Sequence, residues 1–193
     1  MDDEALFRRM LNGGSALDDD PSLIHGIWPD TRLAYVNRAY ERAGRARGLG
    51  PAWGLGARLM DAIPGPLVPF YEGLFVRSLR AKAPLAIDYH CHSPEEHREL
   101  RMHIYAIGEQ AGLLMVHSLL VARPHHEPQG PSDMRYRNRA TGLVVQCCQC
   151  RRVRRNTGEW DTVPEYIARM PSQTSHGLCA PCSIHLYGTF DAL

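Results

Sequence analysis

The sequence lacks any apolar run long enough to cross a membrane, and it lacks a secretory leader. A membrane-spanning helix needs about 20 consecutive apolar residues. The longest apolar stretch, near residues 112–122, is interrupted by His117 and Ser118. The chain begins Met1-Asp2-Asp3-Glu4, which is acidic where a secretory signal is basic. These absences predict a cytoplasmic protein with no membrane partner.

Motifs of the common catalytic sites are also missing. The sequence contains no serine–histidine–aspartate elbow, no phosphate loop, no kinase motif and no recognisable pair of catalytic carboxylates. We therefore expect that the protein is not an enzyme. Hydrophobic residues make up 44% and charged residues 22% of the chain, which is typical of a folded globular protein. Its 193 residues accommodate one ordinary domain and a small one.

Cysteine is scarce until the carboxyl-terminal third of the chain. Of six cysteines, only Cys91 precedes residue 147, and the others include two Cys-x-x-Cys pairs, namely Cys147 with Cys150 and Cys179 with Cys182. In a reducing compartment, paired cysteines are more often metal ligands than disulfides. Four thiolates complete a closed tetrahedral shell around one ion. The spacing therefore predicts a structural Zn²⁺ site.

Other interpretations of the cysteine pairs stay open at this stage. His176 precedes the second pair and could replace one cysteine, although we favour a hydrogen-bonding role for it. An iron–sulfur cluster uses the same four thiolates. A redox-active dithiol switch is a third interpretation.

The net charge of +1 hides an asymmetry between the two parts of the chain. Residues 135–193 carry eight arginines against four acidic residues, a net charge of +4. Within this part, a basic stretch predicted to form a hairpin contains Arg151, Arg152, Arg154 and Arg155. Such a stretch could meet nucleic-acid phosphates or a protein partner. Nucleic acid is the less favoured partner, because no recognition-helix pattern accompanies the arginines.

The order of elements before residue 123 predicts an α+β domain. A short amphipathic helix over residues 2–11 comes first, and residues 48–66 favour short helical turns. The remaining predicted elements are a hairpin of strands Leu23–Trp28 and Arg32–Val36, a helix over Leu67–Leu79, and strands Leu85–His92, Glu99–Ile107 and Gly112–Val121.

This order of elements resembles that of PAS domains. The segment Trp28-Pro29-Asp30-Thr31-Arg32-Leu33-Ala34-Tyr35-Val36-Asn37-Arg38-Ala39-Tyr40 is similar to the opening of the family, where an acid in a turn precedes a strand ending in Asn-x-Ala-aromatic. The resemblance implies a five-stranded antiparallel sheet with flanking helices. It also implies a homodimer formed through the helix over residues 2–11, with its apolar face exposed.

The PAS resemblance also implies an internal cavity for a small molecule, which we expect Phe70, Leu74 and His117 to line. A flavin is not expected, because residues 53–66 lack the cysteine that flavin photosensors of this family carry. Haem is disfavoured, because residues 67–80 contain no histidine. A domain with a filled core that serves only for pairing is the alternative.

Four histidines and a cysteine lie close together in the sequence: His90, Cys91, His92, His97 and His103. On a strand, residues 90 and 92 point to one face and residue 91 to the other. His97 lies beyond a turn and could complete a set of three imidazoles. We nevertheless favour a solvated sheet face here, because acidic residues and Arg98 surround the histidines.

The carboxyl-terminal part resembles a small cysteine-rich module found at the ends of bacterial signalling proteins. The likeness rests on Cys147-x-x-Cys150 followed by arginines, and on the run Ser-His-Gly-Leu-Cys-Ala-Pro-Cys over residues 175–182. Proline stands one place later than is usual there, and Cys148 replaces a small polar residue. A knuckle, a hairpin and a helix with two cysteines in its first turn predict a treble-clef-like zinc module.

Together these observations predict a division into an N-terminal helix and connector (1–21), a PAS-like sensor domain (22–122), a linker (123–134) and a zinc module (135–193). The function expected is signal sensing, in which the PAS-like domain detects a small ligand or partner. The zinc module would relay that state to an unknown signalling protein by contact. The alternative is a nucleic-acid-binding transcriptional regulator that uses the basic module.

Overall fold

The computed structural model describes residues 3–12, 15–46, 53–124 and 133–192. Within these ranges, none of the helices is both long enough and apolar enough to cross a membrane. Most of the predicted linker, residues 125–132, lies outside the described residues, as do residues 48–52 of the segment predicted to form short turns.

A five-stranded antiparallel sheet is built from the segments predicted to be strands. The strands are β1 (Leu23–Ile27), β2 (Leu33–Val36), β3 (Leu85–His90), β4 (Glu96–Ile107) and β5 (Gly112–Pro124). Their spatial order is β2-β1-β5-β4-β3. The first strand lies between β2 and β5, where Ile24 pairs with Val116 of β5 and His25 pairs with Val36 of β2.

Helices precede the sheet and connect its second and third strands. The helices are α1 (Asp3–Met10), α2 (Ser15–Asp18), α3 (Arg38–Ala46) and α4 (Val68–Arg80), with 3-10 turns at Leu59–Ala62 and Gly65–Leu67. The prediction of a long helix near residues 67–79 is confirmed, and its predicted apolar positions Phe70, Leu74 and Phe75 are buried. This element order and strand order make the domain PAS-like.

The buried side chain of Asn37, which follows β2, makes hydrogen bonds to several backbone groups around β1. Its amide nitrogen donates to the carbonyl oxygens of Leu17, Asp20 and Ser22, and its side-chain oxygen accepts the backbone N–H of Ile24 and Tyr40. Buried polar groups are stable only when hydrogen-bonded. This asparagine therefore ties the connector before β1 to the start of α3.

The centre of the apolar face of α1, Phe7, is buried within its own chain, whereas Leu6 is exposed as expected. Phe7 is fully buried and packs on Trp28 and Tyr35, with ring centroids 5.2 and 6.4 Å away. A β-carbon at Gly26 would lie 2.2 Å from the Phe7 ring, and one at Gly112 would lie 2.9 Å away. Because Gly26 and Gly112 have no side chains, the Phe7 ring can pack directly on the sheet backbone. The homodimer stays a prediction.

The carboxyl-terminal part contains a small four-stranded sheet and three helices. The strands are β6 (Val144–Cys147), β7 (Val153–Arg154), β8 (Trp160–Asp161) and β9 (Thr174–Gly177), in the order β8-β7-β6-β9. The helices are α5 (Asp133–Tyr136), α6 (Pro164–Ala168) and α7 (Ala180–Ala192). The predicted hairpin is β7–β8, and its turn contains Gly158, which has a positive φ of 107°.

Contacts between Cα atoms divide the chain into two compact units. The first comprises Met1–Ile63, Tyr71–Ile87 and Arg101–Ser118, and the second comprises Pro64–Phe70, Asp88–Leu100 and Leu119–Leu193. The second unit therefore contains both the four paired cysteines and the segment with His90, His92 and His97.

Candidate metal centre

The two cysteine pairs meet because β6 and β9 run side by side. These strands pair in parallel, with Gln146 opposite His176 and Cys147 opposite Gly177. The second pair begins two residues after Gly177, so Cys179 arrives beside the first pair. The amide of Cys148 also donates to the carbonyl oxygen of Gly177 at 2.9 Å, which holds the two segments together.

Each pair is presented by a tight local structure. After Cys147 the chain reverses through a turn in which the amide of Arg151 donates to the Cys147 carbonyl at 3.0 Å, and Arg151 itself has a φ of 61°. Cys179 immediately precedes α7, and Cys182 lies in its first turn. A helix amino terminus favours thiolates, because its unpaired N–H groups face them.

The four sulfur atoms fit a single tetrahedral ion. All four cysteines are buried, and their Sγ atoms lie within 4.8 Å of one another. The Sγ atoms of Cys150 and Cys179 are 3.7 Å apart. Sulfurs bound at about 2.3 Å to a tetrahedral Zn²⁺ lie about 3.8 Å from each other. A cluster of several irons would sit between the thiolates and hold them farther apart, so the geometry favours one ion.

The protonation states of the cluster also indicate a place for a cation. The S–H groups of Cys150 and Cys182 donate towards Cys147 and lower the pKa of its thiol. Conversely, donation to Cys147 raises the pKa of Cys150 to about 12 and raises that of Cys182 as well. The cluster therefore favours one thiolate, at Cys147, and disfavours the loss of a second thiol proton. A divalent cation would remove that opposition, since metal binding releases the thiol protons.

His176 and Cys148 both lie outside the cluster. His176 is an exposed residue of β9, opposite Gln146 in the ladder. Cys148 is half-buried, and its burial raises the pKa of its thiol to about 12. A thiol of high pKa is neither a ready ligand nor a ready nucleophile.

A small apolar core supports the cysteine cluster. It consists of Tyr136, Val144, Val153, Val163 and Tyr166. The buried amide of Gln146 donates to the carbonyl oxygens of Arg151 and Tyr166, at 3.0 and 3.3 Å. So small a core stabilises little by itself. A metal ion is therefore expected to supply much of the stability of this part.

The β7–β8 hairpin borders a cavity of about 260 Å³ on the same part of the chain. Asp161 accepts hydrogen bonds from the Tyr136 hydroxyl at 2.7 Å and from Arg155 Nε at 2.5 Å. Arg155 lowers the pKa of Asp161, which keeps the carboxylate charged. In the turn, Asn156 donates to the carbonyl oxygens of Met134 and Arg137. The hairpin is thereby held in one position.

The four arginines predicted as a contact surface differ in their exposure. Arg154 is exposed, whereas Arg151, Arg152 and Arg155 are half-buried. Arg154 and Arg155 line the cavity, and Arg155 is also paired with Asp161. Arg154 is therefore the arginine of this set that is best placed for a partner.

Of the three residues predicted to line a PAS-like ligand cavity, two are buried in the packed core and His117 is half-buried. Phe70 and Leu74 are 1% and 0% exposed. His117 Nε2 lies 3.3 Å from His25 Nδ1, and the two rings are stacked with centroids 5.1 Å apart. Burial lowers the pKa of His117 to about 4 and that of His25 well below its ordinary value. A ligand reaching these residues would have to separate packed side chains.

The histidine segment is less solvated than the sequence led us to expect. His90, His92 and His97 form a second group of ligand-type side chains, in which one ring nitrogen from each lies within 4.8 Å of the others. His92 is buried, and His90 and His97 are half-buried. The strand alternation and the turn before His97 were the signals for this cluster, and burial is what the sequence interpretation missed.

Comparisons with known proteins give the following likenesses. No protein-family model matches the chain, and no curated protein matches it. The PAS domain of Bordetella pertussis BvgS is 18% identical, with a TM-score of 0.47 over 63% of this chain and 89% of that one. The PAS domain of an HTR-like protein from Haloarcula marismortui is 10% identical, with a TM-score of 0.38 over 61% and 99%.

A third likeness is to a structure of the phage VqmA–DPO complex. It is 12% identical, with a TM-score of 0.46, and the match covers 62% of this chain but only 55% of that chain. These values are too low to carry an argument about function. The PAS-like assignment rests on the strand order and the element order of the chain itself.

Proposed function

We propose that this chain is a cytoplasmic signal-sensing protein, in which the PAS-like domain detects a small ligand or partner. The zinc module relays that state through protein contact. The single observation that carries the proposal is the closed four-cysteine centre beside a rigid hairpin. Four thiolates leave a zinc ion no open position, so the metal holds shape and performs no chemistry. The proposal assigns no catalytic step to the chain.

The contact surface of the proposal is the cavity at the β7–β8 hairpin. Exposed Arg154 contributes a positive charge at its rim, and the polar side chains of Asn156 and Thr157 contribute hydrogen-bonding groups. The hydrogen bonds of Asp161 and Asn156 hold this surface in place before a partner arrives, which reduces the entropy cost of binding. An acidic peptide segment of a partner protein fits the charge of this surface.

Metal analysis tests the first half of the proposal. We expect one Zn²⁺ bound to each set of four cysteines, measured by elemental analysis and native mass spectrometry of the full chain. Cys147→Ser should lose that ion, and Cys148→Ser should keep it. Iron in place of zinc, or an oxidised dithiol without metal, would overturn the assignment. The same spectra report any additional mass retained by the PAS-like domain.

A peptide-display screen tests the second half. Random peptides are selected on the zinc-loaded full chain, and the selected sequences are then measured against Arg154→Glu and against a matched control, Arg169→Glu. Arg169 is an exposed arginine of the same part of the chain, away from the cavity. We expect acidic peptides whose binding is lost with Arg154→Glu and kept with Arg169→Glu. Equal binding to all three proteins would contradict the proposal.

The alternative function, a nucleic-acid-binding regulator, gives a different result. Binding of labelled duplex DNA through several arginines weakens steeply with salt, because neutralised phosphates release counterions. Tight, strongly salt-dependent binding that is lost with Arg154→Glu would favour that alternative over a protein partner.

A further inference from the structure

The three histidines around the β3–β4 turn are placed as the ligands of a metal site. His90 ends β3, His92 follows two residues later, and His97 is the second residue of β4. The ring centroids of His92 and His97 are 4.2 Å apart, and that of His90 is 5.4 and 5.5 Å from theirs. We propose that His90, His92 and His97 bind one divalent transition-metal ion of the Zn²⁺ class, at a site separate from the four cysteines.

The backbone holds the three imidazoles in position. The amide of Cys91 donates to the carbonyl oxygen of Arg98 at 3.1 Å, and that of Ser93 donates to Glu96 at 3.0 Å. These bonds continue the pairing of the two strands through the turn. They return the chain so that residue 97 lies beside residues 90 and 92. Because strand residues alternate between faces, the Cys91 side chain points away from the imidazoles.

His97 has the surroundings that metal-bound histidines commonly have. Its Nε2 lies 3.1 Å from Glu99 Oε1, so the carboxylate can accept the Nε2 hydrogen. The tautomer that results presents the Nδ1 lone pair to an ion. A carboxylate behind a ligating histidine fixes the ring and raises its basicity.

The other two rings also suit a ligand role. Among the described residues, the buried Nδ1 of His90 has no hydrogen-bond partner. A buried ring nitrogen left unpaired is costly, and coordination would satisfy it. His92 Nδ1 accepts the Arg98 amide hydrogen at 3.1 Å, which orients the ring. Binding through His92 Nδ1 exchanges that hydrogen bond for a metal bond, and the neutral ring keeps its proton on Nε2.

The donor set defines the kind of ion. Three neutral imidazoles suit Zn²⁺, Cu²⁺ or Ni²⁺ and do not suit Ca²⁺ or Mg²⁺, which prefer oxygen. Three protein ligands leave a fourth position of a tetrahedral ion for water or a small ligand. His185 does not fill it, because its Nε2 lies 2.7 Å from the carbonyl oxygen of Asp88 and its ring centroid is 6.4 Å from that of His90. The site thus differs from the closed cysteine centre.

The test compares zinc stoichiometry and affinity among full-length variants. Wild type is expected to bind one more Zn²⁺ than His90→Gln or His97→Gln, counted by native mass spectrometry and titrated with Zn²⁺ against a competing chelator. His103→Gln is the matched control, since His103 lies on β4 outside the cluster and should keep the extra ion. The test depends only on the difference in zinc count between wild type and the histidine variants. It is therefore valid even if the cysteine centre binds no zinc or the proposed signalling function is wrong.

Two further variants make the test sharper. Glu99→Gln keeps all three ligands and should weaken binding of the extra ion about 10–100-fold, because the His97 ring loses its carboxylate. Cys91→Ser should leave binding unchanged. Equal zinc counts in wild type, His90→Gln and His97→Gln would overturn the site. Loss of the ion in Cys91→Ser would also overturn the site, because that result would assign the ion to the Cys91 thiolate. Near-ultraviolet circular dichroism confirms that each variant is folded.

Discussion

The stacked pair of buried His25 and half-buried His117 makes the stability of the PAS-like domain depend on pH. Both rings are held neutral in the folded protein, because burial disfavours the charged imidazolium. The pKa of His117 is lowered to about 4, whereas an unfolded chain has a histidine pKa near 6.5. The unfolded state therefore binds a proton first as pH falls. Stability is complete above about pH 6.5 and is lost progressively as pH falls towards 4.

The size of this effect follows from the two pKa values. At pH 5 the unfolded histidine is almost fully protonated and His117 is almost fully neutral, so its contribution to the free energy of unfolding falls by about 2 kcal/mol relative to pH 8. The variant His117→Gln removes this titration. Its loss of stability between pH 8 and pH 5 should be about 2 kcal/mol smaller than that of wild type.

Urea unfolding at both pH values, followed by far-ultraviolet circular dichroism, measures the difference. Comparison at pH 8 isolates the structural cost of the substitution, since both states are then neutral at this position. Loss of metal from the cysteines at pH 5 affects both proteins and cancels. An equal loss of stability in wild type and His117→Gln would refute the argument that this buried ring resists protonation.

Three other substitutions test the fold, and removal of metal tests the cysteine centre. Phe7→Ala should lower the free energy of unfolding by about 3–5 kcal/mol, because the ring is fully buried. Leu6→Ala, at a residue that is 43% exposed, should lower it by less than about 1 kcal/mol. Similar losses for the two variants in denaturant titrations would contradict the docking of α1. Asn37→Leu should cost about 3 kcal/mol in the same titration, since it leaves several buried backbone groups unpaired, and a neutral effect would be inconsistent with that network. Removing zinc with a chelator should unfold the carboxyl-terminal part, and hydrogen exchange there that stays slow would speak against a structural metal.

Local patterns in the sequence were sufficient to predict individual strands and the long helix, and the resemblance to PAS domains implied the five-stranded sheet. Alternation along residues 85–90 and 99–107, and helical spacing along residues 67–79, each depend on neighbours a few positions apart. The structure has strands and a helix at those places. The paired strands β6 and β9 were not predicted. Each has only four residues, and their partners are distant in the sequence, so no local period identifies them.

Burial was the property that the sequence could not supply. The apolar face of residues 2–11 is equally consistent with a dimer interface and with intramolecular packing. Phe7 packs where Gly26 and Gly112 have no side chains, and that surface exists only once β1 and β5 are paired. The histidine segment was similarly ambiguous between a cluster of three imidazoles and a sheet face exposed to solvent, and its polar neighbours in the sequence favoured the exposed face.

The sequence by itself determined which potential metal-ligand groups this protein has, namely four paired thiols and three clustered imidazoles. Its spacing also places the two cysteines of each pair at one turn, and His90 and His92 on one face of a strand. Only the tertiary structure decided which donors meet. Pairing of β6 with β9 unites Cys147 with Cys179, and the return of β4 beside β3 brings His97 to His90. Such long-range pairing depends on the summed burial and hydrogen bonding of whole segments, which no short motif encodes.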